Sequence, residues 1–248
     1  MQAAVSQTLS EPGYETLAEA ATWPDTFARN RPEYAPMKPF HYVNVDVRAR
    51  SYQRERDCPH GCVVTALEQF VALLESDDQE PLGVSERRRC IYWIAHLMGD
   101  IHQPLHVAHP DGKGGNATRL RFFELPEERN AHWVWDVGLL ARRPPPPPAL
   151  ASRVASDQPA FRALADELYA GLTPEQVRAY GRTTSAEALA NESFALARQV
   201  SEATTGHVDA RYQAQHWPLV TVQLQKAGVR LAAVLSRALS PKAPRATR

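Results

Sequence analysis

Apolar residues recur with helical spacing along most of the chain. Val63, Ala66, Leu67, Phe70, Val71 and Leu74 follow the i, i+3, i+4, i+7 rule and form one stripe. The segment Ser85–His102 repeats the pattern through Ile91, Ile94, Ala95 and Met98, with Ser85 expected as the cap, Glu86 in the first turn and Pro104 as the stop. Residues 131–141, 161–170, 185–203 and 212–239 read the same way, and Pro218 is expected to start, kink or break the last helix. Only 118–125 and 40–46 alternate like strands. Arg29–Pro39 carries three prolines and reads as an irregular loop. Arg142–Pro148 reads as a rigid polyproline II connection across the surface. The pattern therefore predicts an all-α fold, a single multi-helix bundle over residues 1–248 with a small hairpin or loop region near 107–125.

Composition narrows the class. With 248 residues, 44% of them apolar, and 28 Lys+Arg against 28 Asp+Glu, the chain has the make-up of a soluble globular protein rather than a disordered one. No apolar run approaches the ~20 residues of a membrane helix, since Cys90–Met98 stops at Gly99 and Asp100. A net charge of zero argues against a surface built to coat polyanions, and leaves room for a local charged site. The first residues show neither the basic start nor the apolar core of a signal peptide. Three cysteines are too few for a disulfide scaffold.

Candidate chemistry gathers in the middle of the chain. Five of the nine histidines lie between 96 and 132. His96 and Asp100 are four apart in a predicted helix, and so are His132 and Asp136, so each pair projects from one helix face and can share a metal. His106 follows the proline that ends the first helix. Apolar flanks such as Trp93, Ile94, Leu97, Trp133 and Trp135 imply burial, and a buried charge needs a partner. Mixed nitrogen and oxygen ligands without cysteine suit zinc. His102 falls about 120° off the His96 face and reads, with His109, as a weaker candidate. His60, His207 and His216 read as non-ligands. The glycine-rich turn Asp111–Asn116 offers backbone N–H groups and the Asn116 amide to an anion.

The residues then resemble a known family. Trp23-Pro24-Asp25, Phe40-His41-Tyr42-Val43-Asn44, HLMGDIHQPLH at 96–106, GGN at 114–116 and NAHWVWD at 130–136 occur in the order and spacing of the S-one/P-one family of single-strand-specific zinc nucleases and 3′-nucleotidases, a resemblance spanning roughly 15–240. It implies one zinc held by Asp25, His41, His96 and Asp100, and a second by His106, His132 and Asp136. A third would share Asp100 and be completed by an N-terminal Trp and a nearby His. No Trp or His precedes Trp23, so two zincs are expected for the chain as written. The resemblance also implies a short-loop disulfide between Cys58 and Cys62, a secreted or periplasmic location, and Cys90 left over as a buried apolar residue.

The activity so implied is zinc-dependent endonucleolytic hydrolysis of single-stranded RNA and DNA to 5′-phosphate products, accompanied by 3′-nucleotidase activity. Asp25 would orient the attacking water, Asn116 would hold a phosphate oxygen, and Tyr42 and Asn44 would meet the base, Tyr42 by stacking. Substrates are the only partners implied. Two alternatives stand beside this reading: a zinc phospholipase C-type lipid hydrolase, and a metal-binding remnant without activity.

Overall fold

The computed structural model describes residues 12–76, 82–142, 158–203 and 206–240. In chain order the first elements are α1 (Leu17–Ala20), α2 (Trp23–Thr26), 3-10 turns at Ala28–Asn30 and Pro32–His41, α3 (Arg54–Asp57), α4 (Val63–Glu75) and α5 (Val84–Asp100). A 3-10 turn at Pro104–His106 leads to β1 (Arg119–Phe122), β2 (Arg129–Asn130) and α6 (Ala131–Trp133). A π-helical turn at Val134–Gly138 joins α6 to α7 (Leu139–Ala141). Then come α8 (Gln158–Ala170), α9 (Pro174–Arg182), α10 (Ala186–Ala203), β3 (His207–Val208) and α11 (Ala210–Ala238). The fold is mainly helical, as the periodicity predicts.

Helix α5 is the axis of the larger core. Ile91, Tyr92, Trp93, Ile94, Leu97 and Met98 are all buried, and they pack with Val63, Leu67 and Leu74 of α4 and with Val234 and Leu235 of α11. Phe70 lies flat on Trp93 at a ring separation of 5.5 Å, which fixes α4 against the helix that carries His96 and Asp100. A second cluster gathers Leu120, Phe122, Val134, Trp135 and Leu139 around Val200, Val208 and Tyr212. It seats the small sheet, in which β1 runs antiparallel to β2 and parallel to β3. Gly138 sits where a Cβ would come within 2.8 Å of the Phe122 ring, so the π-helical turn can rest on β1 only with glycine there.

Several local expectations are corrected. The segment 29–39 is ordered as 3-10 turns, because proline fixes φ near the helical value and each turn needs few N–H donors. Residues 40–46 form no strand; the 3-10 turn runs through His41, and the extended backbone after it bonds Val43 N–H to His106 O and Val45 N–H to Val107 O. The cap of α5 is Gly83 rather than Ser85, and Gly83 N–H donates to Glu86 Oε2 at 2.8 Å. The hairpin falls at 119–130, later than expected. Helix α11 neither starts nor ends at Pro218, which lies inside it. Residues 131–141 are helical with a widened middle turn. Of the polyproline stretch 142–148, all but Arg142 lies outside the described residues.

Candidate metal centre

Five segments converge on one cleft. Helix α5 supplies His96 and Asp100, the end of the long 3-10 turn supplies His41, and α2 supplies Asp25. The Pro104 turn supplies His106, and α6 with its π-helical continuation supplies His132 and Asp136. Local chemistry sets each segment. Gln103 caps the Pro104 turn by accepting from Leu105 N–H. Asn130 caps α6, its Oδ1 accepting from Trp133 N–H at 2.6 Å.

The histidines are aimed by backbone carbonyls. His96 Nδ1 lies 2.7 Å from Ala21 O, His106 Nδ1 lies 2.6 Å from His41 O, and His132 Nδ1 lies 2.8 Å from Gly114 O. With Nδ1–H donated to a carbonyl, each ring turns its Nε2 inward, where it can carry a proton or meet a metal. His96 Nε2 is 3.1 Å from Asp100 Oδ2, His106 Nε2 is 3.3 Å from Asp136 Oδ1, and His132 Nε2 is 3.1 Å from Asp136 Oδ2. His41 Nδ1 is 2.9 Å from His96 Nε2 and 3.1 Å from Asp100 Oδ2. Ligand-type atoms of Asp25, His41 and His96 lie within 4.8 Å of one another, and so do those of His106, His132 and Asp136. Asp100 stands between the two groups, with Oδ1 3.6 Å from the His106 ring.

The electrostatics match a cation-binding site holding protons. Burial pushes the His96 ring down, but Asp100, with lesser help from Asp25 and the Ala21 carbonyl, outweighs it and raises the pKa to about 9. His106 is likewise penalised by burial and raised to about 10 by Asp100 and Asp136. Burial works against the Asp100 and Asp136 carboxylates too, yet the surrounding imidazoles hold both well below the usual carboxylate range. Nitrogen and oxygen donors that converge this closely, three of the four histidines oriented by a carbonyl behind the ring, fit a divalent metal such as zinc.

The groups open into a cavity of about 1400 Å³. Tyr42 lines it with 42% of its surface exposed, so it is no core aromatic, and Asn44 and Asn116 line it as well. Asn116 Nδ2 donates to Lys113 O and its Oδ1 accepts from Asn130 Nδ2, which leaves one amide hydrogen uncommitted. Cys58 and Cys62 are disulfide-bonded, and Cys90 is buried.

The remaining candidates lie outside the two His/Asp groups. The glycine-rich turn does not aim its N–H groups at an external anion, because Lys113, Gly115 and Ala117 donate to the Asp111 carboxylate of the same loop. His102 is buried and turned off the cluster, its Nδ1 on Met98 O and its Nε2 2.8 Å from Arg230. Burial chiefly, with Arg230 beside it, lowers its pKa to about 4. His109 is buried against Asp111, and His216 is buried against Tyr212. Sequence reasoning missed Gln103, whose Nε2 donates to Asp136 Oδ1 at 2.6 Å. Its place in the cap of the Pro104 turn was the available signal.

Comparison with known proteins agrees with this arrangement. The profile described as S1/P1 Nuclease matches residues 1–240. "Endonuclease 2" of Arabidopsis thaliana is 29% identical over 94% of this chain and 82% of its own length. "Endonuclease 1" of the same plant is 35% identical over 48% of this chain and 41% of its own length. "Nuclease S1" of Aspergillus oryzae is 33% identical over 50% of this chain and 42% of its own. With a mainly helical fold, two His/Asp groups in one cleft and a family match across nearly its full length, the chain belongs to the S1/P1 nuclease family, whose members are hydrolases of phosphodiester bonds.

Proposed function

We propose that this protein is a zinc-dependent endonuclease that hydrolyses single-stranded RNA and DNA to 5′-phosphate products and also removes phosphate from 3′-nucleotides. The observation that carries the reading is the shared aim of His96, His106 and His132, each tied by Nδ1 to a carbonyl with Nε2 facing a carboxylate. Asp25, His41 and His96 would hold one zinc with Asp100, and His106, His132 and Asp136 would hold another. Zinc in such a site supplies a nucleophile at neutral pH and positive charge for phosphoryl oxygens.

The chain's own residues supply orientation and selectivity. Asp25, with its side chain 48% exposed, would take a hydrogen bond from the attacking water. The uncommitted Asn116 amide hydrogen would hold a phosphate oxygen. The exposed Tyr42 ring next to His41 offers a platform to an unstacked base, and a duplex, whose bases are stacked and paired, cannot use it. Asn44 beside it offers both donor and acceptor to a base edge. The Cys58–Cys62 disulfide supports export to an oxidising compartment. We treat residues 1–248 as one catalytic unit.

The test is a substrate panel on the zinc-loaded protein: poly(A), a single-stranded DNA oligonucleotide, its duplex, a 3′-nucleotide and phosphatidylcholine. Cleavage of the single strands with 5′-phosphate ends, release of phosphate from the 3′-nucleotide and no action on the lipid are expected. Preferential lipid hydrolysis, or equal rates on duplex and single strand, would contradict the proposal.

A further inference from the structure

The loop Asp111–Thr118 is built around one carboxylate. Asp111 Oδ1 accepts from Lys113 N–H at 2.8 Å and Gly115 N–H at 3.0 Å, and Oδ2 accepts from Ala117 N–H at 3.0 Å with Thr118 Oγ1 at 3.4 Å. His109 Nδ1 stands 2.8 Å behind Oδ1, and the Asp111 side chain is only 13% exposed. Four donors in six residues wrap the backbone about Asp111 and leave the loop little freedom.

The wrap has a consequence at the metal centre. Gly114 adopts φ +61°, and a Cβ there would lie 2.7 Å from Leu105 O and 3.3 Å from His132 Nδ1. The loop backbone is therefore pressed against the His132 ring, and the carbonyl that meets His132 Nδ1 at 2.8 Å is that of Gly114, midway between the two N–H groups held by Asp111 Oδ1. Asn116, on the same loop, also reaches Asn130, the cap of the helix that carries His132.

We infer that Asp111 is a positioning residue for His132: by fixing the loop, it aims the Gly114 carbonyl that sets the tautomer and direction of this ring, and so tunes the His106/His132/Asp136 site alone. The inference rests on the zinc reading of that group, and the Asp25/His41/His96 group serves as its internal control. Its histidines take their Nδ1 contacts elsewhere: His96 bonds Ala21 O, with no part of the 111–118 loop involved.

The test uses the full chain, zinc alone as the probe and competition with a chromophoric chelator, which separates binding sites of different affinity. Asp111→Asn keeps the volume but replaces an accepting oxygen by an NH2 that faces N–H donors. One zinc should then bind about 10- to 100-fold more weakly, the range for loss of a group that orients a metal-bound histidine, while the other keeps its wild-type affinity. Gly114→Ala displaces the same carbonyl directly and should weaken the same zinc. It carries the test if D111N melts too low to titrate. Wild-type affinity at both sites, or equal weakening of both, would overturn the inference.

A second readout does not depend on metal. In the metal-free wild-type protein, nitrogen-15 spectra should show His132 with a protonated Nδ1, and both variants should lose that signature. An unchanged His132 spectrum would overturn the inference even where zinc affinity moved. A wild-type chain that binds no zinc would instead bring down the proposed function, with the His132 spectrum still deciding whether Asp111 holds the ring.

Discussion

Zinc uptake by this site should be coupled to proton release, with a size that follows from the two buried histidines. In the metal-free protein His96 keeps its proton to about pH 9 and His106 to about pH 10. A histidine must be neutral to bind metal, so each zinc displaces at least one proton at pH 7. The competition factor is the ratio of proton affinity to ambient proton activity. It comes to about 100-fold at pH 7 for the site containing His96 and about 1000-fold for the site containing His106. Each affinity should rise about tenfold per pH unit from 6 to 8. Titration calorimetry at pH 7 in buffers of different ionisation enthalpy reads the proton count directly. The same groups set the stability of the metal-free protein. His96 and His106 have raised folded-state values, so their stabilisation is full below the unfolded value of about 6.5 and is lost as pH rises through 9 and 10. Asp100 and Asp136 are depressed, so theirs is present above about 3.8 and lost as pH falls. The metal-free protein should thus melt highest between about pH 4 and 6.5, and added zinc should help most above that range. Zinc binding that released no protons at pH 7 and kept one affinity from pH 6 to 8 would refute this reasoning.

Other perturbations have equally definite outcomes. Gln103→Ala removes the donor to Asp136 and the cap of the His106 turn together, so kcat/KM on a single-stranded oligonucleotide should fall about 10- to 100-fold with little change in unfolding temperature. Arg230 is buried, pairs with Glu192 at 2.8 Å and touches His102, while Glu192 keeps Lys226 at 3.0 Å, so Arg230→Ala should cost about 1–3 kcal/mol in urea unfolding. The disulfide closes a loop with a sequence separation of only 4, for which chain entropy gives about 2 kcal/mol; replacing both Cys58 and Cys62 by Ser should lower stability by that amount and leave zinc content unchanged.

What the sequence made legible follows from the range over which each residue acts. His96 with Asp100, and His132 with Asp136, declare themselves through the helical repeat, because a spacing of four fixes their common face whatever the rest of the fold does. Asp25 and His41 have no such signature. They reach the cluster only because α2 and the long 3-10 turn fold back onto α5, and a family resemblance pointed to them where periodicity did not. Gln103 and Asp111 act on residues 33 and 21 positions away, through a cap and a loop whose geometry no spacing rule encodes. The proline-rich 29–39 segment misled for a related reason: proline density marks the absence of a regular α-helix or strand, and says little about 3-10 turns. Pro218 neither starts nor breaks its helix, because the cost of about 3 kcal/mol for an interior proline is outweighed in a helix of 29 residues that buries side chains on two cores.

The proposed function requires a zinc ion in each His/Asp group of this cleft. An anomalous difference map collected at the zinc absorption edge, on crystals of the full chain grown with zinc, reads that occupancy. One peak is expected among Asp25, His41, His96 and Asp100 and another among His106, His132 and Asp136, each about 2.0–2.2 Å from its nitrogen and oxygen ligands. A map with no density at either group, or with zinc held only by other residues, would contradict it.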